Sequence, residues 1–224
     1  MERINDPQLL QSYLEQYHLQ EHFTGDLAQM GMLLRYAPNE KIAQIGVRCE
    51  YFYILVKGEC MAYAYTATNK IHCESYFHGV SLLGVAATLW DEPPMNSVRA
   101  LTECIFIAIP ANLYRHQLLN DNKFLRFAVR TLATHVRQSA SHFDPLENRL
   151  ASFILTTQRG GLFRYNLTQC ADIMETSYRH LMRTLSTLCS MGILQKGEKG
   201  DYTILNQTLL EELSRGDLSS GSKS

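Results

Sequence analysis

Pro110 divides the chain into two textures, and the change across it limits the available folds more than any other feature. From about Leu33 to Pro110, aromatic and β-branched residues alternate in the short runs "EYFYILVKGECMAYAY", "KIHCESYF" and "NSVRALTECIFIAIP". Turn material lies between them at "APNE", "TATNK" and "WDEPPM". Short strands at close spacing with no helix interleaved predict an antiparallel sandwich or barrel. Gly58, in "LVKGE", marks a tight turn where a side chain would clash. Ahead of the strands, Asp6-Pro7 followed by "QLLQSYLEQYHLQEHF" predicts a helix capped by Asp with Pro in its first turn.

Beyond Pro110 the apolar period lengthens. "DNKFLRFAVRTLATHVRQSASHF" places Leu125, Ala128 or Val129, Leu132, Val136 and Ser139 on one seam. A seam that narrow suits pairing with another helix, the alternative being a satellite helix on the barrel. Asp144-Pro145 stops this helix and opens "PLENRLASFILTTQRGG", which places a hinge there. The resulting divisions are a β-rich domain over 1–119, the long helix over 120–143 and a third domain over 144–212. The remaining 213–224, almost all of it the Ser/Gly-rich stretch "SRGDLSSGSKS", is expected to be disordered.

The third domain carries "YNLTQCADIMETSYRHLMRTLSTLCSMGILQKGEKGDYTILN". It reads as helix, short turn, helix and two short strands, a helix-turn-helix with a wing. Thr168 is positioned to cap the first helix, whose inner face is Cys170, Ile173 and Met174, with the small Ala171 where the helices cross. Ser177 caps the second helix and Gly192 follows it. That helix puts Leu181, Leu185 and Leu188 on one stripe and Arg179 and Arg183 one turn apart on the opposite side, with His180 and Met182 at the margins. A helix so held can enter a DNA major groove, where an Arg fork pairs with guanine O6 and N7. Lys196 and Lys199 on the wing are placed for phosphates. Glu175 occupies the turn position where Gly is usual, so the turn is expected to be built differently here.

Bulk properties narrow the classes further. The 224 residues leave room for two small domains, and 46% hydrophobic residues supply a core. The net charge of −1 means that a nucleic-acid surface must be a local patch. Six scattered cysteines read as small buried hydrophobes in a reducing compartment. The first twenty residues contain no apolar run of signal or membrane length, so a cytoplasmic protein without a membrane partner is expected.

The order of parts resembles the catabolite-activator (CRP/FNR) family of bacterial transcription regulators. The resemblance runs from about Leu33 to Asn206, most specifically at Tyr51–Glu59, at Gly79 with Val98-Arg99-Ala100, and at "TSYRHLMRTL". It implies an α+β protein with an N-terminal antiparallel β jelly-roll sensor, a long central dimerisation helix and a C-terminal winged helix-turn-helix. It further implies a homodimer joined along Leu125, Val129, Leu132 and Val136, bound to double-stranded DNA at a two-fold symmetric site. An activator would also touch RNA polymerase. The family's base-reading positions fall on Tyr178, Arg179 and Arg183, and Arg179 replaces an acidic residue common in the family.

The sensor cassette departs from the family. Its ribose-holding Gly-Glu becomes Gly84-Val85, and its phosphate-holding Arg-Ser becomes Pro94-Met95. A buried phosphate without such partners is uncompensated, so cyclic AMP is not expected to bind. Leu82, Leu83, Val85 and Met95 would line an apolar pocket for an unknown, largely uncharged effector, with signalling near Thr131 and Ser139. Arg99 is the one candidate that could rescue an anion site. No cofactor is expected: an iron–sulfur cluster needs clustered N-terminal cysteines, and the first here is Cys49. The alternatives are a metal- or haem-dependent sensor or a jelly-roll enzyme. For these, His72, Cys73 and His78 are the nearby ligands, but adjacent strand residues His72 and Cys73 point to opposite faces. No nucleophile elbow or phosphate loop is present.

Overall fold

The hydrophobic run Phe52–Val56 lacks the alternation of a half-exposed strand because both of its faces are covered. In the computed structural model, which describes residues 1–65, 71–140, 144–198 and 200–217, it forms the centre of β4. The chain divides after Ser139 into two compact units.

The first unit opens with β1 (Glu2–Ile4), α1 (Pro7–Gln16), a 3-10 turn (Leu19–His22) and α2 (Leu27–Met30). Strands β2 (Met32–Tyr36), β3 (Lys41–Ala43), β4 (Tyr51–Lys57), β5 (Glu59–Tyr65), β6 (Ile71–His78) and β7 (Ser81–Leu83) follow. Then come α3 (Val85–Trp90), β8 (Ser97–Ala100), β9 (Cys104–Pro110), α4 (Ala111–Leu119) and α5 (Asn122–Ala140). Two antiparallel sheets result, in the orders β1-β2-β9-β4-β7 and β3-β8-β5-β6. Tyr53 and Leu55 of β4 join Leu34, Cys60, Phe77 and Phe106 in one core cluster. Phe52, Ile54 and Val56 join Leu10, Leu14, Leu118 and Phe124 in another. Strand parity therefore sends β4 side chains into two cores at once.

Asp6 accepts from the Leu9 N–H at 2.9 Å and caps α1, with Pro7 in its first turn. The helix stops at Gln16 instead of continuing to Phe23, and His18 takes a left-handed φ of 50°. Gly58 has φ +95°, and a Cβ there would collide with the Glu103 carbonyl oxygen.

The residues of the predicted α5 seam have different surroundings within the first unit. Phe124 and Ala128 are buried in the helix-side core, and Leu125 and Leu132 pack partly against it. Val129 instead points away and is 64% exposed. The Val136 and Ser139 side chains lie outside the described residues. Helix α5 thus packs as part of the first unit, not as a separate segment.

The second unit contains α6 (Leu146–Thr157), β10 (Leu162–Phe163), α7 (Leu167–Ile173), α8 (Tyr178–Ser190), β11 (Leu194–Lys196), β12 (Tyr202–Ile204) and α9 (Gln207–Arg215). The strands form an antiparallel sheet in the order β10-β12-β11. Helix α9 follows the two strands at which the sequence pattern ends the winged helix-turn-helix. Asn206 caps it, Leu210 and Leu213 are buried, and α9 lies against α6. Helix α9 therefore continues through Arg215, past residue 213, where the sequence pattern predicts a disordered tail to begin.

Candidate nucleic-acid interface and effector cavity

Helix α7 is capped by Asn166, whose Oδ1 accepts from the Thr168 and Gln169 N–H groups at 3.0 and 3.1 Å. Thr168 is therefore an exposed first-turn residue and not the cap. Cys170, Ala171, Ile173 and Met174 are buried on the inner face. Glu175 adopts the left-handed conformation with φ 50°, and the Thr176 N–H closes the turn on the Ala171 carbonyl at 3.0 Å. The turn thus has the geometry usual for Gly, at a cost of about 1 kcal/mol, and is not built differently.

Ser177 Oγ accepts from the His180 N–H at 3.1 Å and starts α8. Leu181, Leu185 and Leu188 are each 0% exposed. Tyr178, Arg179, His180 and Arg183 are exposed on the outer side of the same helix. The His180 ring is held by its Nδ1 at 3.2 Å from Thr176 Oγ1. Gly192, with φ +70°, allows the chain to leave the helix, and the Ile193 N–H returns to the Leu188 carbonyl at 3.0 Å. On the wing, Lys196 is exposed at the end of β11; Lys199 lies outside the described residues. Sequence reading missed Arg149, whose Nη1 donates to the Met174 carbonyl at 3.1 Å and braces the turn from α6.

In the first unit a cavity of about 590 Å³ opens beside α3. Leu82, Leu83, Gly84, Val85 and Met95 line it, as does Leu132 of α5. Gly84 takes φ +75° where the chain turns from β7 into α3. The cavity also borders Cys49, Tyr53, Trp90 and Glu92, which the sequence reading did not include. Burial pushes both the Cys49 thiol and the Tyr53 phenol above their ordinary pKa values, so both are neutral near pH 7.

Two expected pocket residues lie elsewhere. Val98 lines the cavity, and strand alternation turns its neighbour Arg99 to the other side of β8, where the guanidinium sits 5.4 Å from the Tyr63 ring centroid. Arg99 is not placed to hold an anion in this cavity. Thr131 borders a surface groove with Arg126 and Arg130.

On β6, Cys73 is buried, while His72 is partly exposed with Nε2 3.3 Å from Glu74 Oε1. Among the described residues no group of three or more His, Cys, Asp or Glu could hold a metal ion. No described helix is long and apolar enough to cross a membrane.

The cyclic nucleotide-binding domain family matches residues 33–121, a span that includes the cavity's α3 and its neighbouring strands. The chain is 32% identical over 196 residues to regulatory protein YeiL of Escherichia coli O157:H7, covering 85% of this chain and 89% of that protein. Among solved structures it is similar to FixK2 from Bradyrhizobium japonicum, with 16% identity, a TM-score of 0.71 and coverage of 85% and 99% of the two chains. It is also similar to CLP from Xanthomonas campestris, described as a c-di-GMP responsive global regulator, with 15% identity, a TM-score of 0.63 and coverage of 88% and 99%.

Proposed function

Since the chain belongs to the CRP/FNR family of transcription regulators, we propose that it acts as a homodimer that binds a two-fold symmetric DNA site through α8. One observation carries this reading. A single helix buries Leu181, Leu185 and Leu188 completely while presenting Tyr178, Arg179 and Arg183 to solvent. Four residues of helix separate the two arginines by about 6 Å, close enough for both to reach neighbouring base pairs from one groove. Lys196 contacts phosphate and orients the domain without reading sequence.

The dimer uses the face of α5 that carries Val129, bordered by Arg126 and Arg130. It sets the half-site centres about 34 Å apart. The first unit acts as a sensor that does not take cyclic AMP, because Val85, Pro94 and Met95 offer no charged donor to a phosphate. The regulator assignment also stands against an enzymatic role, in keeping with a curated relative that is a regulatory protein.

Selection from random DNA with wild-type and Arg179→Ala protein tests the reading. The expected result is one enriched palindrome for the wild type, with the variant losing about 1–3 kcal/mol of discrimination at one position of each half-site. An identical motif from both proteins would remove Arg179 from base reading, and no enrichment with either would remove the function.

A further inference from the structure

We propose that the cavity beside α3 binds an uncharged, predominantly apolar small molecule, with Trp90 and Met95 forming its mouth. This inference rests on reading the first unit as a sensor, and it specifies the chemistry sensed. The volume of about 590 Å³ suits a small organic ligand. Its described walls include no Lys, Arg or His, and their one carboxylate is Glu92. With Cys49 and Tyr53 kept neutral by burial, the described lining offers an anion no positive charge. An anion would lose its water here and gain no cationic partner from the lining.

The mouth points the same way. Trp90 is 77% and Met95 85% exposed, although both border an apolar cavity. Large apolar side chains left open at a rim favour an apolar occupant, which would remove their surface from water. The rim is already held in place. Asp91 is gripped by Arg48 Nη1 at 2.8 Å and Arg115 Nη1 at 2.7 Å, and the Gly46 N–H donates to the Pro94 carbonyl at 3.0 Å. A preformed rim reduces the ordering cost of binding. Leu132 brings the occupant into contact with α5, the helix on which the proposed dimer depends.

The sequence supplies its own reporter, because Trp90 is its one tryptophan. Titration with the uncharged fluorophore N-phenyl-1-naphthylamine should give saturable energy transfer from Trp90. Decanol should displace the probe, whereas decanoate should compete about tenfold more weakly and cyclic AMP not at all. Met95→Glu, at an exposed position, and Ala86→Phe, which narrows the cavity, should each weaken probe binding about tenfold with the thermal transition retained.

Absence of saturable transfer overturns the inference. So does transfer unchanged in both variants, or decanoate competing as well as decanol. DNA selection on the same preparation separates the two readings. Intact DNA binding without probe binding removes the ligand class alone, whereas probe binding without DNA binding removes the regulator function alone.

Discussion

Arg149 Nη1 donates a 3.1 Å hydrogen bond to the carbonyl of Met174, so α6 grips the C-terminal end of α7 where the helix-turn-helix bends. A cation at a helix C-terminus is favourable, and a hydrogen bond from a charged donor contributes about 1.5–3 kcal/mol. Arg149→Met keeps the alkyl stem and removes the donor. It should lower the thermal midpoint and weaken operator binding, with Arg149→Lys recovering part of both. Calorimetry and fluorescence anisotropy on the two variants provide the check. Wild-type affinity in the Met variant would mean that the turn keeps its shape without α6.

Val129 and Leu132 are three residues apart on α5 but serve different surroundings. Val129 is open to solvent, whereas Leu132 packs against the core and borders the cavity. Val129→Glu should therefore yield monomers by light scattering while leaving probe binding near the wild-type level. Leu132→Glu should disturb both. A Val129→Glu protein that stays dimeric at micromolar concentration would place the interface elsewhere.

Asp121 ties the start of α5 to the N-terminal segment and gives the first unit an acid-sensitive joint. Its Oδ2 accepts from the Thr24 N–H at 2.6 Å, and its Oδ1 accepts from Thr24 Oγ1 at 2.8 Å and from the Lys123 and Phe124 N–H groups at 2.9 and 3.3 Å. Burial alone would raise the carboxyl pKa, but these hydrogen bonds outweigh it and hold the group below its ordinary value. A depressed folded-state pKa stabilises the fold above the unfolded value, about 3.9, and that contribution is lost as pH falls through the folded pKa. Asp121→Asn turns these charge-assisted hydrogen bonds into neutral ones, so it should cost about 1–2 kcal/mol at pH 7, and the gap from wild type should narrow below about pH 4. Thermal midpoints at pH 7 and pH 3 measure it; a gap constant across that range would show that the charge is not what matters.

Gly58 and Gly79 both have positive φ, but they differ in what surrounds them. A Cβ on Gly58 would collide with the Glu103 carbonyl and stand 2.9 Å from Cys104 Cα, whereas one on Gly79 meets nothing within 4 Å. Gly58→Ala should therefore cost about 3 kcal/mol or more, and Gly79→Ala only about 1 kcal/mol. Urea denaturation of both variants gives the comparison, and equal costs would mean that the backbone near Glu103 yields easily.

What could be read from the sequence was mostly local. Ser177, the leucine stripe and Gly192 define α8 within sixteen residues, and each acts on its own neighbours. The cap of α7 was harder because Asn166 and Thr168 are both good capping residues two positions apart, and only backbone geometry selects Asn166. Helix α9 carried a readable signal in Asn206, Leu210, Leu213 and Gly216, hidden by the Ser/Gly composition that follows it. Strand parity alone would have separated Val98 from Arg99. The full cavity was beyond local reading, since α3, β4, β6, β8 and α5 contribute walls that only tertiary packing brings together.

Helix α5 seals the core of its own unit with Phe124 and Ala128 while showing Val129 to the outside. Drift on such a helix is constrained twice. A substitution on the inner face must keep the seal of its own unit, and one on the outer face must keep the proposed dimer contact. Across descendants of this chain, α5 should therefore change more slowly than its exposure alone would suggest.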